Sequence, residues 1–312
     1  MSQPNRRSFL GCLGAGVIAG RSAPAAFSTA TRPWADLDAL VDLVRKTARR
    51  DLLGKAADLH RNDGVDWRDL LAAAFLAGIR DVEPRPVGFQ FHCVMMTNSA
   101  FDIAARAPAA ERLAAALFNL DDFKHSQEVD AQRGDWSMAA APASDEVDVA
   151  QATAHLGEVL AKWDLDGADR AATAVAHCAT LDEAFEPLWW FGMRDFTNIG
   201  HNPIFTAQAH RTLQQIGWRH GTDVLRSLVY GLLDGKPGAA DATFVANRER
   251  AAALVLPRSP RASKAASLDL ATELRRATPE AASTAAAEAL AKGLSPGSVW
   301  DAVRLCAAEQ SW

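Results

Sequence analysis

An all-α fold is what this 312-residue sequence predicts. Three observations carry it. No segment alternates apolar and polar residues with the two-residue period of a strand, apolar residues recur at helical spacing from residue 34 to the C-terminus, and helix-capping residues punctuate the chain throughout. Some ten or more helices follow, arranged as a multi-helix array.

Residues 1–30 read as an address. In "NRRSFLG", Arg6 and Arg7 precede a short apolar run, "FLGCLGAGVIAG", and then "SAPAA", where Ala23, Pro24 and Ala25 form a small-x-small cleavage pattern. The pattern resembles a twin-arginine export signal. It predicts a protein delivered by the twin-arginine machinery to the periplasm or the extracellular space. The apolar run is too short for a permanent membrane span. Beyond the signal, Cys93, Cys178 and Cys306 are widely separated and form neither a disulfide framework nor a paired metal ribbon.

The helical domain is expected over residues 31–256. "DWRDLLAAAFLAGIRD" opens with Asp66 as N-cap and spaces Leu70, Ala74 and Ala77 along one face. "TLDEAFEPLWWFG" starts with a capping box made by Thr180 and Glu183. In "HNPIFTAQAHRTLQQIG", Asn202 is placed to cap, Pro203 fits the first helical position and Gly217 ends the helix. Residues 133–145, "RGDWSMAAAPASD", read as a loop anchored by Trp136. Residues 257–312 comprise a basic linker, "PRSPRASK", and Ala-rich helices started by Thr278 with Pro279 and by Ser295 with Pro296.

A phrase recurs inside the helical domain. Gly78, Arg80, Asp81, His92, Thr97 and Ala100 match Gly192, Arg194, Asp195, His201, Thr206 and Ala209 in order, and the first copy has the longer loop. "GVDWRDLLAAA" is echoed by "GSVWDAVRLCAA" near the C-terminus, which reads as the beginning of a third, truncated copy. Each Arg-Asp pair would cap a helix end and pair internally. Each histidine would open the next helix.

The recurrence makes His92 and His201 the first candidates for chemistry, with His210 joining them in a shared interior pocket. Thr97 and Thr206 would line it. Thr206, His210 and Gln214 fall at i, i+4 and i+8, a polar stripe on an otherwise apolar helix, and Arg211 beside it could meet an anionic substrate. Separately, Asp121, His125 and Glu128 in "NLDDFKHSQEVD" share one helix face at the spacing of helical metal sites. Trp189, Trp190, Phe191 and Trp218 flank the second histidine and could wall a flat organic ligand.

The charge balance narrows the classes. A net charge of -5 with no concentrated basic surface gives no nucleic-acid signature, and 49% apolar with 23% charged residues is ordinary for a globular chain. No Walker loop, GxGxxG, GxSxG, HExxH or paired CxxC is present.

"LLAAAFLAGIRD", "PRPVGFQFH", "GDWSM", "RDFTNIGHNPIF" and "RTLQQIGWRHGTDVLRSLVYGLLDG" resemble an uncharacterised group of bacterial proteins that often carry export signals, over most of residues 60–235. More loosely, the His, Thr and Ala spacing is similar to the questin oxidase-like family, whose members cleave an aromatic polyketide ring oxidatively. Two functions follow as expectations. One is an exported oxidoreductase acting on a small, aromatic organic substrate at a His-lined pocket, with a bound transition metal or with none. The other is a non-catalytic periplasmic binding or scaffolding protein whose histidines are structural.

Overall fold

A computed structural model describes residues 36–144, 147–194, 199–235 and 242–310. The expected export signal, with Arg6, Arg7 and Ala23 to Ala25, lies outside the described residues, as does Asp195 of the recurring phrase. Fifteen α-helices and no strand are present among the described residues, joined by three single turns of 3₁₀ helix. They form two compact units, divided between Ala239 and Ala240.

The larger unit holds α1 (Leu37–Lys46), α2 (Arg49–Asn62), α3 (Trp67–Asp81), α4 (His92–Met95), α5 (Thr97–Arg106), α6 (Arg112–Ala131), α7 (Val149–Ala161), α8 (Leu165–Cys178), α9 (Leu181–Gly192), α10 (His201–Ile216) and α11 (Gly221–Leu232). Local chemistry starts and stops them where the sequence predicts in several cases. Asp66 and Asp69 form a capping box on α3, and Thr180 and Glu183 form one on α9. Gly217 ends α10 with φ 101°, a conformation that a Cβ would disfavour. The start of α10 differs from expectation: the helix begins at His201, capped by Gly200 at φ 76°, so Asn202 and Pro203 already lie within its first turn.

Helix α3 is central. Every residue from Leu70 to Ile79 is buried, because α1, α4, α5, α6 and α11 all pack on it, so it carries no polar face. Helix α11 is similar: Val224 to Val229 is one buried run that includes Arg226. That guanidinium, 5% exposed, pairs with Asp169 of α8 at 2.7 Å and also donates to the carbonyls of Ala139 and Ala140. It thereby fastens the loop after α6. Trp136 anchors the same loop as predicted, its backbone N–H donating to Asp130 at 2.7 Å and its ring lying 5.7 Å from that of Tyr230.

Arg80 and Asp81, the described Arg-Asp pair of the recurring phrase, do not pair with each other. Arg80 bonds Asp223 at 2.7 Å and Asp38 at 2.9 Å, while Asp81 receives two bonds from Arg45, each 2.6 Å. Adjacent residues on a helix point about 100° apart, so each finds a partner on a different neighbouring helix.

The second unit holds α12 (Ala242–Ala253), α13 (Lys264–Leu274), α14 (Pro279–Ala291) and α15 (Pro296–Gln310). Thr278 caps α14 with Pro279 at its first position, as its sequence predicts. The basic linker meets the turn before α15 through Arg261, whose N–H donates to Gly293 O and whose carbonyl accepts from Ser295. Its core is small, centred on Leu270, Ala271 and Ala302, because alanine favours helix but offers little apolar area to bury. No described helix is long and apolar enough to cross a membrane.

Candidate functional site

His92 and His201 come together. Their ring centroids lie 5.6 Å apart, inclined at 55°. Two features of the fold place them. Phe91, which precedes His92, and Phe205, one turn after His201, stack edge to face at 4.8 Å, and both are fully buried. Burying each of these rings contributes about 1.5–3 kcal/mol. Residues four apart share a helix face, so this contact also aims His201 at the turn that carries His92.

The segment from Val82 to Phe91 is held at several points. Arg85 donates to the carbonyls of Tyr230 and Leu233 at the end of α11, and its guanidinium lies over the Tyr230 ring at 3.8 Å. Asp130, 2% exposed, accepts from the Glu83 N–H at 2.8 Å and from Gln90 at 3.1 Å. From this anchored segment Phe89 projects to solvent, 74% exposed, and its ring meets both imidazoles edge-on, at 5.1 Å from His92 and 5.6 Å from His201. Two further apolar side chains flank His201: Ile199, two residues before it and 74% exposed, and Ile204, one turn after it and also exposed.

Electrostatics favours neutral imidazole at His92. Burial lowers its pKa below the ordinary value and the neighbouring His201 lowers it further, while Asp122 opposes both. A ring neutral at neutral pH is a usable proton acceptor. Beside it, burial pushes the Cys93 thiol up to about 12, so this cysteine is held as an inert thiol rather than a nucleophilic thiolate.

His210 does not join the pair. Nine residues separate it from His201, which is two and a half helical turns and about 13.5 Å, so the two side chains leave α10 on opposite faces. His210 instead packs against Phe185 and Trp189 of α9, and its Nε2 lies 3.0 Å from Asp182. Burial outweighs that bond and lowers its pKa. The polar stripe on α10 therefore faces α9 in its middle and solvent at Gln214; Arg211 is also exposed.

Thr97 and Thr206 are engaged with backbone. Both are fully buried, and each hydroxyl donates at 3.0 Å to the carbonyl four residues back, on Cys93 and Asn202 respectively. Thr206 also closes against Gly192, where an added Cβ would stand 2.2 Å from its Oγ1. Trp189, Phe191 and Trp218 pack against the core, and the Trp218 indole donates to the carbonyl of Ala179.

The donors Asp121, His125 and Glu128 do converge, but on a guanidinium. Arg49 of α2 makes a two-pronged pair with Asp121, both bonds 2.8 Å, reaches Glu128 at 3.1 Å, and lies 3.3 Å from His125 Nδ1. The positive charge expected there is supplied by the protein itself. No group of three or more His, Cys, Asp or Glu among the described residues is arranged to hold a metal ion.

Sequence reasoning missed Phe89 and Asp122. Phe89 stands in "GFQFH", one residue from the buried Phe91, and nothing in the sequence distinguishes the projecting ring from the core one. Asp122 was legible in principle, since it lies on a different face of α6 from its neighbour Asp121. No protein-family model, curated protein or solved structure matches this chain.

Proposed function

We propose that this chain is an exported helical enzyme that oxidises a small, flat, hydroxylated aromatic molecule, with the His92 and His201 imidazoles as its acid–base pair. One observation carries the reading: two imidazoles 5.6 Å apart, with an exposed aromatic ring set edge-on against both. A largely exposed ring gains most by meeting an apolar ligand, and Phe89, 74% exposed, offers such a surface beside the pair. An imidazole there takes the proton of a substrate hydroxyl: the O–H bond breaks, an N–H bond forms, and the electron pair stays on oxygen. A hydroquinone so activated passes two electrons and two protons to dioxygen, giving quinone and hydrogen peroxide. Were a transition metal bound, His92 and His201 would be the residues to hold it, and it would supply the electron transfer to dioxygen.

The repeat belongs to this proposal. Supporting it, Gly78 and Gly192 are both points of close approach, the first to Val94 of α4 and the second to Thr206 of α10, and Thr97 and Thr206 satisfy equivalent carbonyls. Export to the periplasm rests on Arg6, Arg7 and the cleavage pattern that follows them.

A second reading, a non-catalytic periplasmic binding or scaffolding protein, draws on the use made of other histidines: the ring of His60 meets the carbonyl of Val65 at 2.7 Å and His210 meets Asp182. Oxygen uptake and peroxide release with a panel of hydroquinones and catechols, alongside metal analysis of the same preparation, separate the two. Turnover is expected to fall about 100-fold or more in His201→Ala, the usual worth of a general base, with the helical circular dichroism retained. No turnover of any panel member by the wild type, with the variant altered only in melting temperature, would favour the binding protein.

A further inference from the structure

We infer that the exposed apolar row leading from Phe89 to Ile103 holds the tail of the substrate, so that the substrate is a hydroquinone bearing an alkyl or isoprenoid chain rather than a bare ring. The ring end of this inference rests on the acid–base reading above; the tail end rests on surface geometry.

Helices α4 and α5 run on as nearly one helix. Met96, between them, keeps right-handed helical geometry; its N–H donates to the His92 carbonyl at 2.8 Å and its own carbonyl accepts from Ala100 at 2.9 Å. His92, Met96, Ser99 and Ile103 therefore fall at i, i+4, i+7 and i+11, the spacing of a single face. That face is left uncovered. Ile103 is 63% exposed, whereas Cys93, Thr97 and Ala104 on the neighbouring face are buried. At about 1.5 Å per residue the row is about 16 Å long. None of Met96, Ser99 and Ile103 carries a charge, and Arg106, the last residue of α5, closes the row.

Phe118 of α6 borders it. The neighbouring Asn119 donates to the Cys93 carbonyl at 3.0 Å and to the Thr97 hydroxyl at 3.4 Å, which sets Phe118 beside the turn that carries Met96. The Phe118 ring is 65% exposed. Large apolar side chains left in water on adjoining helices carry a free-energy cost that an apolar ligand removes.

What covers the row follows from where it starts. Phe89 is the ring set edge-on against both imidazoles, and His92 is itself the first residue of the row. A molecule whose hydroxyl meets the imidazoles and whose ring meets Phe89 thus has Met96 and Ile103 as the apolar path for a substituent. A bare hydroquinone would leave Ile103 and Phe118 untouched.

Binding of a series from ethyl- to decylhydroquinone, measured by titration calorimetry under nitrogen so that no oxidation consumes the ligand, tests this. Wild type is compared with Ile103→Ser, Phe118→Ser and, as a control on an exposed apolar residue of the second unit, Val255→Ser. The dissociation constant is expected to fall about twofold for each added methylene, half the free energy of full burial because the row is open on one side. Ile103→Ser and Phe118→Ser are each expected to weaken the decyl compound about fivefold and to leave the ethyl compound unchanged. Both side chains are exposed, so neither replacement is expected to unfold the chain. An affinity independent of chain length, or an equal loss in Val255→Ser, would overturn the inference. So would dimerisation, or binding to phosphatidylcholine vesicles, that depends on Ile103 without any chain-length effect; the row would then belong to a second copy or to a lipid surface. Chain-length-dependent binding with no oxidation of any member would keep the tail site and sink the oxidase reading, and oxidation whose KM ignores chain length would do the reverse.

Discussion

Asp169→Ala is expected to destabilise the larger unit by about 2–3 kcal/mol. Asp169 is the sole carboxylate that meets Arg226 among the described contacts, and the guanidinium it pairs with is 5% exposed on an otherwise apolar stretch of α11. Without the carboxylate the charge stays buried, held by the Ala139 and Ala140 carbonyls alone. Those two bonds, and a carboxylate that is itself 35% exposed and so already partly solvated, place the loss just below the roughly 3–5 kcal/mol of a broken, fully buried pair. Urea denaturation measures it. The double variant Asp169→Leu, Arg226→Met is expected to recover most of the loss, since an apolar pair of similar volume removes the uncompensated charge. A single variant within about 0.5 kcal/mol of wild type would mean that the pair is dispensable, as surface changes usually are.

Gly192→Ala is expected to cost a comparable amount, about 1–3 kcal/mol, by overpacking. The new methyl would stand 2.2 Å from Thr206 Oγ1 and 3.1 Å from Thr206 Cβ, and neither atom belongs to a flexible chain end. Thr206 is β-branched, fully buried and bonded to the Asn202 carbonyl, so α9 and α10 must separate instead. The consequence reaches the site, because α10 carries His201. Adding Thr206→Ala to Gly192→Ala should restore part of the stability, since the 2.2 Å contact disappears while the 3.1 Å one remains. Thermal unfolding of the two single variants and the double gives the coupling; simple additivity would show that the close approach does not matter.

These two positions illustrate what could be read beforehand. Fold class and most helix starts were legible because they depend on local chemistry: Asp66, Thr180 and Thr278 cap from their own backbone neighbourhood, and Gly217 stops α10 for reasons internal to the chain. The shared location of His92 and His201 was expected from their recurrence. What failed depended on helix phase and on partners distant in sequence. His201 and His210 look equivalent in a string of letters, yet half a turn of phase sends one toward α4 and the other toward α9. Asp121, His125 and Glu128 have metal-site spacing, but no spacing rule reveals that Arg49 comes from α2 to fill their centre.

The most direct measurement is the pH titration of the His92 imidazole by NMR in wild type and in His201→Gln. If the two rings share one hollow, removing His201 takes away the electrostatic influence that holds the His92 pKa down, and His92 must titrate at higher pH than in wild type. An unchanged His92 titration would mean that the rings do not sense each other, and the paired-imidazole centre would be lost.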